Sequence, residues 1–469
     1  MNDFFLLMKS ELILTVIIFI LLFVKVAGNE MKNGSLLNLV NILLLVNFVS
    51  GFFFNHEGIL FGDMFKTNPL IAFEKNILSL GTLIISLQAH DWLKKHEHVM
   101  EFYLLLLSTL LGMFFIISSN NLLMFYLGLE LSTIPLAALS NFDLEKRRSS
   151  EAAMKFIMSS AFSSGLLLFG ISMFFGTTGT LSFSELSPLL NGSPLQIFSF
   201  ILLLAGFGFK ISAVPFHLWT ADVYEGSPVA ITSYLSVISK GAILFVMVSV
   251  FSSLFVPLSG EWYNMIVLLS VLTMIIGNLF ALRQQNMKRF LAFSSIAQIG
   301  FILIGISGQS LTGSASVIYF VLVYVFSNLG AFGVVSLVSA VTGKEQLDDY
   351  KGFYKNNPLM SWVLALSLFS LAGIPPTAGF FGKFFLVMAG AGKGNYIFII
   401  IAALNMVISL YYYLKVVKAI FMDENNQPIE KLNVNLLPKI SFFICLGGII
   451  IMGLNSSAYH YIYSLISSF

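Results

Sequence analysis

Cysteine and charged residues are scarce in this chain, and their scarcity excludes several classes of protein. Its 469 residues include one cysteine, Cys445, so no disulfide can form within the chain and no cysteine cluster can hold zinc or an iron–sulfur centre. Only 10% of the residues are charged, whereas 57% are hydrophobic, which excludes a soluble globular protein of this length. We therefore expect an integral membrane protein.

Sequence motifs for cofactor binding are also missing. The six histidines form no pair at haem-ligand spacing within an apolar run. No G-x-G-x-x-G motif follows a strand pattern, and no Walker loop occurs. We expect no cofactor, no metal and no nucleic acid on this chain, so electrons in any redox enzyme that it serves must travel through other subunits.

Long apolar runs dominate the sequence. Runs such as ELILTVIIFILLFV and FIMSSAFSSGLLLFGISMFF approach or exceed the roughly 18 residues needed to span a bilayer as a helix, whereas barrel strands would alternate over about ten. Turn residues and charges separate about fourteen runs, which predicts an all-α polytopic membrane protein. The first run is interpreted as a helix rather than a cleaved signal because Asp3 and Glu11 flank it and no small-residue cleavage site follows.

Lysine and arginine are concentrated in one set of alternate loops. This set includes the cluster Lys146, Arg147 and Arg148, whereas the other set has few basic residues. The basic loops should face the cytoplasm. With fourteen spans, both termini would then lie on the periplasmic side of a bacterial inner membrane.

Spans seven and twelve each combine prolines with a lysine, in GFGFKISAVPF and GIPPTAGFFGKFF, so we expect both helices to be discontinuous. They are five spans apart and therefore run in opposite senses, which predicts two inverted five-helix repeats, helices 4–8 and helices 9–13. The expected organisation is residues 1–99 for helices 1–3, 100–251 and 252–421 for the two repeats, and 422–469 for helix 14.

Ionisable residues inside apolar runs are the strongest functional signal. A charge at membrane depth costs several kcal/mol, and its presence favours ion movement. The five such residues are Glu130, Lys155, Lys210, Lys240 and Lys383. Pro215 should open the helix beside Lys210 and give that base access to water. For Glu130 the alternative is a static ion pair that packs two helices, and for Lys210 it is a side chain that reaches the membrane interface. Lys240 and Lys383 can instead be merely structural, and Lys155 can reach the cytoplasmic surface.

Three polar residues follow the break of span seven in PFHLWTADVYEGSP. We expect His217, Asp222 and Glu225, with Lys155, to be candidates for proton access to the buried row. The alternative is a polar cap on the loop before span eight, because Ser227–Pro228 is typical of a helix start.

Several strings carry a family resemblance. YLGLELSTIPLAAL, GFGFKISAVPFHLWTADVYEGSPVAITSYLSVISK, QQNMKRFLAFSSIAQIGF and SLAGIPPTAGFFGKF resemble the antiporter-like subunits of proton-pumping NADH:quinone oxidoreductase, respiratory complex I. The resemblance covers most of the chain. Within that family it is greatest to subunit N, the counterpart of mitochondrial NADH dehydrogenase subunit 2. Subunit M typically has glutamate at the position of Lys383, and no long lateral helix like that of subunit L follows the last span in this sequence.

The resemblance implies a role for each buried charge. Glu130 and Lys210 would be a modulating ion pair, Lys240 a central relay and Lys383 the terminal proton-transfer residue. It also implies that partner subunits carry FMN, the iron–sulfur clusters and the quinone site. Subunit M and the small membrane subunits would be neighbours, and NADH and quinone would act on this chain only through the complex.

Two other functions fit the same sequence. One is a subunit of a multisubunit cation/proton antiporter, which shares the broken helices and lysines. The other is a membrane scaffold that moves no protons, for which substitution of the buried lysines should leave proton pumping intact.

Overall fold

The computed structural model describes residues 2–27, 31–53, 56–425 and 427–468. Nearly all of the regular structure is helical, which confirms the predicted all-α class. One short antiparallel hairpin pairs β1 (Gly58–Leu60) with β2 (Phe65–Thr67).

The helices of the first half are α1 (Asn2–Leu7), α2 (Lys9–Val26), α3 (Asn33–Ser50), α4 (Pro69–Leu93), α5 (Val99–Ile117), α6 (Leu122–Ser140), α7 (Arg147–Thr178), α8 (Phe183–Leu186), α9 (Pro194–Ile211), α10 (Leu218–Gly226), α11 (Val229–Tyr234) and α12 (Lys240–Ser252). A π-helical turn, Leu235–Ser239, joins α11 to α12.

The helices of the second half are α13 (Ser259–Arg283), α14 (Met287–Ser307), α15 (Leu311–Thr342), α16 (Phe353–Asn356), α17 (Pro358–Ala372), α18 (Ala378–Ala391), α19 (Tyr396–Phe421), α20 (Leu436–Leu454) and α21 (Ser457–Ser467). Short 3₁₀ turns occur at Ser187–Leu189, Val256–Leu258 and Leu347–Tyr350.

Twelve helices in the described residues are long and apolar enough to cross a membrane. α2 has a similar length but carries three charged residues, and the shorter α17 and α18 follow one another as the halves of a broken span. Counting these two further segments reproduces the expected fourteen spans. The exact number in the membrane stays a prediction.

The break in span seven lies between α9 and α10. α9 ends at Ile211, and Ser212 adopts a left-handed conformation with φ 62°. The backbone N–H of Val214 then donates to Thr273 Oγ1 at 3.0 Å, so a side chain from α13 satisfies a donor that the break frees. Trp219 Nε1 likewise donates to the carbonyl of Phe209 at 3.2 Å.

The break in span twelve is built in the same way. α17 ends at Ala372, and Gly373 is left-handed with φ 86°. Ser370 Oγ accepts the backbone N–H of Gly379 at 3.1 Å and a hydrogen bond from Ser327 Oγ at 2.7 Å. Both predicted discontinuities are therefore present, and neighbouring side chains stabilise each of them.

Matched features in the two halves support an internal repeat. α7 and α15 each have 32 residues, and each ends at a left-handed glycine, Gly179 and Gly343. These helices are the sixth and eleventh spans of the expected series, five apart as the repeat requires.

A second matched pair lies at the starts of two helices. Asn121 caps α6 and forms an isolated β-bridge with Ser182, while Asn286 caps α14 and bridges Gln346. α6 and α14 are the fifth and tenth spans, so their starts lie at opposite ends of an alternating bundle. This is the relation that an inverted repeat predicts.

The centre of the bundle is formed by α14 and α15, which are almost completely buried. α3, α13 and α19 instead expose apolar side chains such as Ile42, Leu268 and Val407. Exposed apolar faces on this scale fit a surface that contacts lipid or neighbouring membrane subunits.

Candidate functional site

Lys210 lies in the last turn of α9, directly before the break, and is 7% exposed. Its ammonium donates to Thr133 Oγ1 on α6 at 2.6 Å and to Ser160 Oγ on α7 at 3.0 Å. A small cavity beside it is lined by both polar and apolar side chains, among them Ser132 and Ser239. The buried base therefore has neutral acceptors and a small cavity of mixed lining next to it.

Glu130 is placed near Lys210, but the predicted ion pair is not formed as a direct contact. The two side chains interact electrostatically, yet no nitrogen–oxygen distance between them is within 4.0 Å. Glu130 is partly buried, and its Oε1 atom has no hydrogen-bond partner in the described part of the chain. Lys210 instead contacts Thr133, which lies one helical turn beyond Glu130 on α6.

Lys240 begins α12 immediately after the π-helical turn and is 1% exposed. Its ammonium donates to Ser295 Oγ on α14 at 3.0 Å, and the ring of Tyr224 lies 5.5 Å away. Ser295 also accepts a hydrogen bond from Ser236 at 3.3 Å. The direct hydrogen-bond partner of Lys240 therefore comes from α14, and Ser236, four residues before Lys240, bonds to the same serine.

Lys383 is completely buried on α18, and its ammonium donates to the carbonyls of Leu371 and Ala372 at 2.7 and 3.3 Å. These carbonyls are the last two of α17, where the helix leaves acceptors unsatisfied and carries partial negative charge. The ring of Phe301 lies 4.8 Å from the ammonium. A positive charge at this position is stabilised by the end of the broken helix.

Gln298 joins the last two lysines. Its side-chain nitrogen donates to the carbonyl of Leu371 at 2.9 Å, the same oxygen that Lys383 uses, and to Tyr413 at 3.2 Å. Gln298 follows Ser295 by one turn of α14. A line of polar groups therefore leads from Lys240 through Ser295 and Gln298 to Lys383.

Lys383 does not occupy the position in its broken span that Lys210 occupies in span seven. Lys210 belongs to the helix before its break, whereas Lys383 belongs to the helix after its break. Lys210 is the second-last residue of α9, and the second-last residue of α17 is Leu371, so Leu371 is the counterpart of Lys210. Because Lys383 reaches back to Leu371, both ammonium groups nevertheless lie near the end of the helix that precedes the break.

Lys155 does not belong to this buried row. Its side chain is 43% exposed and forms 2.7 Å ion pairs with Glu151 and Asp222 at one end of the bundle. Arg289 on α14 pairs with both Asp222 and Glu225 at 2.8 Å. The structure thus favours the surface alternative for Lys155 and places it in a charged cluster that includes two of the predicted access residues.

A buried ion pair extends that cluster. Lys288 Nζ lies 2.6 Å from Glu345 Oε1 and donates to the carbonyl of Glu225 at 3.2 Å. Burial opposes ionisation of Glu345, but the ion pair with Lys288 and a hydrogen bond from Ser339 lower its pKa below the ordinary value.

His217 lies apart from this cluster. It is 8% exposed and precedes the first residue of α10. It forms no ion pair with Asp222 or Glu225 within the residues described. The structure therefore brings three of the four candidate access residues together and leaves the histidine inside the bundle.

Ser295, Gln298, Arg289 and Lys288 were missed as site residues by sequence reasoning. All four lie in QQNMKRFLAFSSIAQIGF, which was recognised only as a family string. Serine and glutamine are too common in apolar helices to mark a site alone. For three of them the available signal is their spacing: positions 288, 295 and 298 are seven and three residues apart, which places them on one side of a single helix.

Comparison with known proteins identifies the fold family. Residues 119–409, more than half of the chain, match the family model described as "NADH:quinone oxidoreductase/Mrp antiporter, TM". Among solved structures, a chain of respiratory complex I from Thermus thermophilus with bound aureothin superposes with a TM-score of 0.81 at 27% identity, covering 95% of this chain and 97% of that one. A chain of the Mrp complex from Dietzia sp. DQ12-45-1b gives 0.86 at 19% identity, covering 98% and 96%, which shows the shared fold.

Curated relatives are more specific. NADH-quinone oxidoreductase subunit N of Phocaeicola vulgatus is 44% identical over 456 residues, 96% of each chain. The subunit N of Azobacteroides pseudotrichonymphae is 45% identical over 415 residues, 87% of this chain and 86% of that one. Near-complete coverage at this identity leaves the broken helices, the lysine row and the charged cluster inside the aligned region, and the chain belongs to the NADH-quinone oxidoreductase subunit N family.

Proposed function

We propose that this chain moves protons across the membrane through Glu130, Lys210, Lys240 and Lys383, driven by electron transfer from NADH to quinone in partner subunits. The observation that carries the proposal is the burial of three lysines, each 7% exposed or less, whose ammonium groups donate to neutral hydroxyl and carbonyl groups of neighbouring helices. Static ion pairs would instead require carboxylate partners for these lysines.

The arrangement suits transfer because each ammonium has weakly basic partners. A buried charge without a counter-ion is costly, so small changes nearby alter whether each lysine holds its proton. Movement of Glu130 toward or away from Lys210 is such a change. We infer that the Glu130–Lys210 pair determines which of the buried lysines hold a proton, with Lys240 as the relay and Lys383 as the terminal residue.

The surrounding organisation is proposed on the same basis. The two repeats, residues 100–251 and 252–421, each supply one broken helix, flanked by helices 1–3 and helix 14. The membrane is the bacterial inner membrane, with both termini periplasmic. Subunit M and small membrane subunits are the neighbours, and FMN and the iron–sulfur clusters lie in other subunits.

The antiporter alternative is less supported because the match to an Mrp chain is at 19% identity, whereas the two subunit N relatives described above are 44% and 45% identical. Mass spectrometry of the complex purified from membranes separates the two: NADH-oxidising subunits should copurify with this chain. A cation antiporter would lack them.

The scaffold alternative is tested with Lys240→Arg in the assembled complex. Arginine keeps the positive charge but holds its proton at any physiological pH. We expect NADH-driven proton movement into inverted membrane vesicles to fall strongly while complex content stays normal. Wild-type pumping by this variant would contradict the proposed function.

A further inference from the structure

A second group of buried charges lies away from the lysine row, between α2 and α4. Glu11 and Lys75 form an ion pair at 2.5 Å, with side chains 1% and 3% exposed. The ring of Phe65 covers the ammonium at 5.2 Å. Apart from the ion pair, neither carboxylate oxygen of Glu11 has a hydrogen-bond partner among the described residues.

The group contains more buried acid than buried base. Glu74, next to Lys75 in the chain, is 4% exposed and interacts with the same ammonium. Lys9 lies nearby but is partly exposed and donates to the carbonyl of Phe53. A structural ion pair needs one carboxylate, whereas the two buried ones compete for a single buried ammonium. Because buried net charge is costly, one carboxyl group is suited to take up and release a proton.

Polar side chains lead away from this group along one face of α4. Ser79 and Thr82 follow Lys75 by four and seven residues, the spacing of a single helix face, and are 3% and 0% exposed. Ser79 Oγ accepts a hydrogen bond from Asn47 on α3 at 3.1 Å. Successive groups on this face are about one turn apart, roughly 5.4 Å, a gap that one water can bridge.

Tyr234 connects this face to the lysine row. Its hydroxyl interacts with Thr82, accepts a hydrogen bond from Thr109 at 2.9 Å and donates to the sulfur of Met113 at 3.8 Å. Met113 lines the same cavity as Lys210. Tyr234 therefore adjoins a residue of the cavity wall, and hydroxyl groups continue from it through Thr82 and Ser79 toward the charges on α2 and α4.

We propose that Glu11, Glu74 and Lys75 form a second proton-exchange site, reached from the Lys210 cavity through Tyr234, Thr82 and Ser79. At this site an N–H bond of the Lys75 ammonium breaks as an O–H bond forms on a carboxylate, and Lys75 then regains a proton through the hydroxyl line. The inference rests on the proposed proton translocation. In the proposed orientation the site lies near the periplasmic ends of α2 and α4, so it releases protons on that side.

The test uses Lys75→Arg in the intact complex, because arginine preserves the charge and the pairing with Glu11 but cannot give up its proton. Protons moved per NADH oxidised are measured in inverted vesicles beside Lys240→Arg. We expect both variants to show the same reduced ratio. Lys25→Arg is the matched control, since Lys25 pairs with Glu101 at 3.0 Å on the surface of α2 and α5 and should retain the wild-type ratio.

The outcomes separate the two proposals. A wild-type ratio in Lys75→Arg with a reduced ratio in Lys240→Arg overturns the second site and leaves the proposed function standing. A wild-type ratio in both overturns both.

If Lys75→Arg prevents assembly, Tyr234→Phe tests the second site instead. This change removes one hydroxyl from the proposed route through Tyr234, Thr82 and Ser79 and keeps the aromatic ring. A ratio equal to that of Tyr319→Phe, whose hydroxyl donates to the carbonyl of Met452 elsewhere, overturns the proposal, and a lower ratio supports it.

Discussion

Replacement of Ser295 by alanine gives the sharpest test of the lysine row. Lys240 is buried, and within the described residues Ser295 is the one group that accepts a hydrogen bond from its ammonium. Alanine removes that acceptor without adding volume or charge. The protonated form of Lys240 then loses its hydrogen bond, whereas the neutral amine loses little.

The expected size of the effect on pumping follows from the charge on the hydrogen-bond donor, which is the Lys240 ammonium. A hydrogen bond to a charged group contributes about 1.5–3 kcal/mol. Its loss corresponds to a roughly 10- to 150-fold lower population of protonated Lys240. We therefore expect NADH-driven proton pumping to fall by up to that factor in Ser295→Ala, and Ser295→Thr, which keeps the hydroxyl, to retain most of the activity.

Pumping is measured in inverted vesicles with a pH-sensitive dye and normalised to the content of assembled complex. Ser307→Ala is the control: Ser307 lies on the same helix, is 1% exposed and, within the part of the chain that the structure describes, bonds to the carbonyl of Ile304 alone. If the two variants pump equally well, Ser295 has no part in proton transfer and the line from Lys240 to Lys383 is refuted.

Three further predictions concern other parts of the chain. Glu130→Gln should reduce pumping more than Glu151→Gln, because Glu151 is 60% exposed in a surface ion pair; equal effects in the vesicle assay would contradict the role of Glu130. Gly379→Ala should abolish assembly on native gels, since the added Cβ would lie 1.8 Å from a backbone carbonyl, while Gly176→Ala meets nothing within 4 Å and should assemble. Because the folded-state pKa of Glu345 is lowered, its ionised form stabilises the fold above the ordinary carboxyl pKa; melting temperature should drop as pH falls from that value through the lowered pKa, and Glu345→Gln should weaken this dependence.

Much of the fold could be predicted because a membrane-spanning helix is recognisable in sequence as a long apolar run. The breaks were predictable for the same kind of reason: Pro215 removes a backbone donor, and its consequence is local. The distant contacts that stabilise each break were not predictable, since Thr273 and Ser327 reach the breaks from α13 and α15, which no local rule connects to them. The paired bridges of Asn121 and Asn286 were also hidden, because they depend on chain segments about 60 residues apart.

The candidate site divides in the same way. A lysine within an apolar run is conspicuous in sequence. Lys210, Lys240 and Lys383 could therefore be selected from the free-energy cost of placing a charge inside the membrane. Their partners could not, because hydroxyls, amides and backbone carbonyls occur throughout apolar helices. Lys155 remained ambiguous in sequence because a long side chain near a helix end can reach either environment, and only the position of Asp222 resolves it.

The position of Lys383 has a mechanical consequence. Its ammonium on α18 holds the two half-helices together by hydrogen bonds to the last two carbonyls of α17. Charge-assisted hydrogen bonds are about twice as strong as neutral ones, so the joint between the two half-helices is stiff when the proton is present and loosens when it leaves. Lys383 thus carries the proton and also sets the rigidity of the broken span to which it belongs. When the proton leaves, the two half-helices can move relative to each other, and the helices packed against this joint can move with them.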